Sequence, residues 1–146
     1  MDFIIKPFEG INEIKFGMFQ SEVEAIIGKA EETKTALLNN ILEFRNDIIF
    51  VYINEKLSDI RFSKSFQYEK HNIVLNDIVL NNDENTVNKL IKMPKTLPSE
   101  IVKNCIVFYG IGACFAGFKE GKIRPDRDLR FFSKERLKFY KIFLNT

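Results

Sequence analysis

One histidine, two cysteines and scattered carboxylates are the groups in this chain that could do acid–base, nucleophilic or metal chemistry. His71 stands in the polar run Tyr68-Glu69-Lys70-His71-Asn72, which reads as a loop leading into a strand. A solvated loop histidine outweighs a general base there. Cys105 and Cys114 lie among apolar residues, where a free cysteine behaves as a small buried hydrophobe, and a disulfide across a hairpin is the other reading. A Cys–His nucleophile needs one of them beside His71 in space. One His and two Cys cannot close a zinc site without two carboxylates, and no ligand spacing points to one. The glycines of Gly110-Ile111-Gly112-Ala113-Cys114-Phe115 enter a strand and not a helix, so they are no phosphate loop. Glu31-Glu32 reads as a solvated acidic pair. The expectation is a non-enzyme with no catalytic, cofactor or metal residue.

Charge is better placed for binding. The net charge of +2 hides a split: residues 1–60 hold 11 acids and 6 bases, and residues 119–146 hold 4 acids and 9 bases. The basic end carries Lys119, Lys122, Arg124, Arg127, Arg130, Lys134, Arg136, Lys138 and Lys141 with Phe131, Phe132 and Tyr140 among them. Bases with interleaved aromatics can hold single-stranded nucleic acid. Here the strand and helix patterns claim Phe131 and Tyr140, and Asp126 and Asp128 dilute the patch, so nucleic acid is the weaker reading. The acidic half offers Glu43, Asp47, Glu55 and Asp59, with Arg61 beside them, as a charged rim for a protein interface.

These residues must be positioned by a small folded unit. The chain has 146 residues, 45% of them hydrophobic, with 15 Phe and no Trp, which excludes intrinsic disorder and fits one domain over residues 1–146. Met1-Asp2-Phe3-Ile4-Ile5-Lys6-Pro7 lacks the apolar run of about 7–15 residues of a secretory signal. No stretch approaches the roughly 20 apolar residues of a membrane helix. The expectation is a cytoplasmic protein with reduced thiols and no membrane partner.

Alternation predicts strands over Ile41–Asn46, Ile48–Asn54 and Leu57–Ser65, turning at Asn46-Asp47 and Asn54-Glu55-Lys56. Leu42 and Phe44, then Ile60 and Phe62, are expected to face the core, with Glu43, Arg45, Asp59 and Arg61 facing water. The middle strand is apolar on both faces, and either a second sheet or the last helix could cover its outer side. Later strands are expected over Asn104–Tyr109, Ile111–Phe118 and Asp128–Phe132, the central hairpin being small-sided through Gly110, Gly112, Ala113, Ala116 and Gly117. Ser21 and Glu24 suggest a capping box, with Val23, Ile26 and Ile27 as the apolar stripe and Gly28 as the stop. Asp83 and Pro94 would bound a second short helix around Val87, Leu90 and Ile91. A last helix, 134–144, follows Ser133 and carries Leu137, Tyr140 and Phe143 or Leu144. The class is α+β: antiparallel sheet with short helices packed on one side.

A weak repeat runs through this pattern. Ile14, Phe16, Val23, Ile26 and Ile27 recur 64 residues later as Ile78, Leu80, Val87, Leu90 and Ile91, and the same offset takes Leu42 to Ile106 and Phe44 to Phe108. One reading is a tandem duplication of a strand–helix–three-strand unit, with halves at about 8–66 and 72–133. The other is coincidence among frequent apolar residues.

Gly10-Ile11-Asn12-Glu13-Ile14-Lys15-Phe16-Gly17-Met18, with Glu22-Val23 and Ile26-Ile27-Gly28, resembles the F/L-G-M-x-x-x-E-V-x-x-x-x-G opening of small bacterial α+β modules. It is similar to outer-membrane assembly lipoproteins of the BamE type and to the half-domain of β-lactamase inhibitor proteins. The lipoprotein likeness implies a signal and a lipidated cysteine, and residues 1–7 offer neither. The inhibitor likeness implies tandem duplication. The whole layout also resembles the cytoplasmic immunity proteins of bacterial contact-dependent growth inhibition (CdiI type). The matching features there are Phe16-Gly17-Met18, Asn54-Glu55-Lys56-Leu57 ahead of Asp59-Ile60-Arg61-Phe62-Ser63, and Phe131-Phe132-Ser133 onward to Tyr140. That resemblance implies a protein that binds and neutralises a cognate toxin domain, a nuclease being one candidate, with no cofactor. Only the opening is a recognisable motif, and it is structural, so no binding residue carries over. The alternative is a small nucleic-acid-binding or other protein-inhibitor module.

Overall fold

A computed structural model describes residues 2–68, 70–80, 86–92, 99–102, 105–117 and 127–144. Asp83, Pro94, Asn104 and Phe118, on which some predicted element ends fall, lie outside these residues, as do the basic Lys119, Lys122 and Arg124.

The structure is α+β with mostly antiparallel sheet. A five-stranded sheet takes β1 (Asp2–Lys6), β2 (Gly10–Ile11), β3 (Ile14–Lys15), β8 (Asn72–Leu75) and β9 (Ile78–Val79) in the order β3-β2-β1-β8-β9. Its β1–β8 pairing is parallel, with Phe3 beside Ile73 and Ile5 beside Leu75. An eight-stranded antiparallel sheet takes β4 (Glu32–Thr35), β5 (Ile41–Arg45), β6 (Ile48–Ile53), β7 (Lys56–Phe62), β10 (Ser99–Val102), β11 (Cys105–Phe108), β12 (Ala113–Ala116) and β13 (Asp128–Phe132). Its order is β10-β11-β12-β13-β7-β6-β5-β4: two four-stranded meanders joined along β13 and β7.

Turn chemistry sets the hairpins. Asn46-Asp47, Asn54-Glu55 and Asn76-Asp77 all hold positive φ at both positions, the two-residue turn whose twist suits antiparallel strands. Gly112 is obligatory for a different reason. Its φ is +64, and a Cβ there would lie 2.7 Å from the Phe132 carbonyl oxygen.

Each meander is preceded by a hairpin and a helix: β2–β3 and α1 (Gln20–Ile27) before the first, β8–β9 and α2 (Thr86–Ile91) before the second. The order of elements that occurs twice is thus longer than a strand, a helix and three strands. Residue by residue, the 64-residue offset does not preserve burial. Ile26 is exposed whereas Leu90 is buried. Ladder registers place Glu43 with Phe50, and Ile106 with Phe115, on the inner face, so Leu42 faces out where Ile106 faces in.

The small sheet, α1 and α2 pack on the inner face of the large sheet. Ile5, Ile11, Val23, Leu75 and Leu90 share one core with Phe50, Ile60, Phe108 and Phe131. Edge-on phenyl contacts run through it, Phe3–Phe62 at 5.5 Å, Phe62–Phe66 at 4.9 Å and Phe62–Phe131 at 6.1 Å across the seam between meanders. The C-terminal helix stands apart from α1 and α2, on the other side of the large sheet. A 3₁₀ turn (Lys134–Arg136) leads into α3 (Leu137–Leu144), which packs on the outer face through Leu137 and Tyr140 against Val107, Cys114 and Phe132.

α1 starts one residue before Ser21, so the predicted box of Ser21 and Glu24 does not form. Instead the Glu22 carboxylate accepts the Phe19 N–H at 3.0 Å, the half of a capping box that an apolar first residue still permits. Gly28 ends the helix at φ 84, as expected. Among the described residues no helix is long and apolar enough to cross a membrane.

Candidate functional site

Strand parity decides what the first meander shows to solvent. On the outer face the ladder aligns Glu32, Phe44, Ile49, Arg61 and Arg130 in one cross-strand row. The next row is Lys34, Leu42, Val51, Asp59 and Phe132. A bulge between β6 and β7 shifts the register at Val51 and Tyr52, which is why Leu57 and Ile60, three apart, both reach the core.

This parity reverses one expectation. Leu42 and Phe44 stand half-buried on the outer face, while Glu43 and Arg45 point into the protein. Glu43 is 4% exposed and pairs with Arg45 at 2.6 Å, the guanidinium also donating to the Gly28 carbonyl oxygen that ends α1. Gln20 adds a hydrogen bond to Glu43 at 3.1 Å. Burial pushes the Glu43 carboxyl up, and the hydrogen bonds from Arg45 and Gln20, with the Arg45 charge, more than offset it, leaving the group below the ordinary carboxylate value. The pair is a clasp between helix and sheet; alternation alone does not reveal it.

Asp59 is the second corrected carboxylate. It is on the outer face as expected but fully buried, because α3 closes over it. Tyr140 donates to it at 2.7 Å, Arg136 at 3.0 Å and Ser58 at 3.0 Å, and Arg61 lies 3.6 Å away. Burial, then the Asp59 charge, raise the Tyr140 hydroxyl well above the usual phenol value. The Tyr140 ring stacks on Phe132 at 4.0 Å.

The remaining predicted contact residues are accessible. Asp47 and Glu55 are exposed in their turns, and Arg61 is half-buried. Asp47 belongs to a concavity of about 610 Å³ on the outer face, lined by Glu31, Glu32, Phe44, Ile49, Ser63 and Ser65 as well. Its floor is a phenyl ring and an isoleucine; its walls carry three carboxylates. Glu31 is pinned by accepting the Asn46 N–H at 2.7 Å, and Asp47 by accepting the Ser65 hydroxyl at 2.8 Å. Such a hollow takes a cationic side chain, its aliphatic stem on Phe44 and its charge among the acids. Glu55 lies outside it. Glu31 and Glu32 were legible as an acidic pair, but β4, which carries Glu32, was not legible as a strand.

A larger cavity, about 820 Å³, opens on the inner side between the large sheet, β1–β3 and the end of α1. Phe3, Ile14, Ile27, Phe50, Phe66 and His71 are among its lining residues. His71 is half-buried against Phe3 and Phe66 at 5.9 and 5.6 Å between ring centres, and so is not the solvated loop residue expected. Cys105 and Cys114 lie across the large sheet from it, on the outer face beside α3, both as free thiols. The Cys114 thiol holds the Cys105 thiol below the ordinary value despite partial burial, with Arg130 assisting. Among the described residues no group of three or more His, Cys, Asp or Glu gathers to hold a metal ion.

Among the described residues of the basic end, three arginines make internal contacts, while Lys134, Lys138 and Lys141 are exposed. Arg127 is buried with its guanidinium 3.9 Å from the Tyr68 ring centre, Arg130 pairs with Asp128 at 3.7 Å, and Arg136 binds Asp59. No protein-family model, curated protein or solved structure matches this chain.

Proposed function

We propose that this chain is an immunity-type protein inhibitor that binds a cognate toxin domain in the cytoplasm and blocks its active site or its access to substrate. The observation that carries this reading is the outer face of the first meander, over which no helix packs among the described residues. Leu42, Phe44 and Ile49 make its apolar centre, and Glu31, Glu32, Asp47 and Arg61 make its charged rim. Inhibition of this kind needs shape and charge, and no chemistry from the inhibitor. Three carboxylates over an apolar floor fit a basic surface, such as a nuclease uses for its phosphate substrate, and charge of that kind speeds encounter and selects the partner. The repeated order of hairpin, helix and meander supports descent from a duplicated inhibitor-like module.

The test is co-expression with the toxin domain encoded immediately upstream, followed by pull-down. Wild type is expected to protect growth and to form a complex. E31K/D47K is expected to weaken binding at least about tenfold while the fold is retained. Absence of both complex and protection overturns the reading, and binding indifferent to E31K/D47K moves the interface elsewhere.

A further inference from the structure

The β4 edge of the large sheet carries features that burial within one chain does not explain. β4 ends the strand order, so among the described residues its outer edge pairs with nothing. Ala36 donates to the Asn40 carbonyl at 2.6 Å on the β5 side, and the alternation of an antiparallel ladder then turns the backbone groups of Thr33 and Thr35 to the open edge. The loop after β4 presents Leu37 and Leu38 at 88% and 93% exposure, with Leu38 and Asn39 both at positive φ. Just before β4, Ile26 and Ile27 end α1 exposed at 44% and 42%. Glu32 and Lys34 stand two apart on the outer face, 3.7 Å from each other and both well exposed.

We infer that β4 pairs antiparallel with the β4 of a second copy of this chain, about a two-fold axis at Thr33. In that register Thr33 exchanges backbone hydrogen bonds with its own copy. Glu32 stands opposite the second copy's Lys34, and Lys34 opposite the second copy's Glu32. Leu37 and Leu38 come opposite the second copy's Lys29 and Gly28, beside the end of α1 where Ile26 and Ile27 are exposed. The same contact recurs at the other end of the paired strands, as a two-fold interface requires. The run Glu32-Thr33-Lys34 selects a second copy because it is complementary to itself when reversed; the register centred one residue later would set Lys34 against Lys34. Edge addition of this kind also satisfies an otherwise open template.

The experiment is sedimentation velocity of the full chain across a concentration series, without any toxin, so its outcome is separate from that of the toxin test. A reversible dimer is expected. E32K and K34E are each expected to weaken it about tenfold, by setting like charges opposite one another at both ends. The double variant E32K/K34E, and an equimolar mixture of the two single variants, restore association, which also shows that the single variants fold. L37D/L38D is expected to be monomeric with an unchanged circular dichroism spectrum. A chain that stays monomeric into the millimolar range overturns the inference. So does a dimer indifferent to the single charge reversals, or one that the double variant fails to restore.

Discussion

The two meanders share an order of strands and a seam, yet their outer faces differ. Over the second, α3 roofs Val107, Cys114 and Phe132, and its Tyr140, with Arg136 of the preceding 3₁₀ turn, buries Asp59 of the neighbouring strand. Over the first, Leu42, Phe44 and Ile49 remain half-exposed around an acidic hollow. The difference arises where the chain leaves the last strand of each. After β7 it turns inward: Phe66 enters the core, and the Tyr68 hydroxyl lies 3.1–3.2 Å from the carbonyl oxygens of Phe62, Ser63 and Arg127. After β13 it turns outward, and Tyr140 finds Phe132 and Asp59. One topology thus yields a closed half and an open half, and the open half is the one with surface to offer a partner.

Tyr140→Ala should break this contrast most severely. It removes a buried stacked ring and the hydrogen bond to the buried Asp59 Oδ2, so urea unfolding should show a loss of about 4 kcal/mol. Arg45→Met acts on the open half from beneath. It leaves Glu43 buried and unpaired, with an expected loss of about 3 kcal/mol at neutral pH. Because the Glu43 carboxyl is held below its ordinary value of 4.5, the pair contributes stability above that value and loses it as pH falls through the lowered one. The gap between wild type and Arg45→Met should therefore narrow in acid, and a gap independent of pH would count against the clasp. Phe44→Ser should matter least to the fold, changing stability by under about 1 kcal/mol, while weakening the proposed toxin contact. A large loss of stability at Phe44 would mean that something in the chain already covers it.

Much of the first meander was legible from the chain itself. Alternation and the Asn-Asp and Asn-Glu turns located β5, β6 and β7 within a few residues, because side-chain period and turn backbone are local properties. Parity was read wrongly for β5. Two charged residues between apolar ones suggest a wet face, and only the Gly28 carbonyl and Gln20, brought in by α1, make a dry one tolerable. β4 escaped detection because Glu-Thr-Lys-Thr has no apolar alternation, and its pairing with β5 supplies the order that its side chains do not.

The acidic hollow shows the same division. Glu31 and Glu32 could be read as an acidic pair and Asp47 as a turn residue, but that they share one concavity with Phe44 and Ile49 depends on ladder register. Sequence by itself determined the class, the hairpin turns, the aromatic core and the acidic character of the first half. Those follow from residue type, local period and burial of apolar surface, all properties of short segments. Only the tertiary structure decided which face each charge occupies and which meander α3 covers. A buried charge is stable only beside partners distant in sequence, and no local pattern names them.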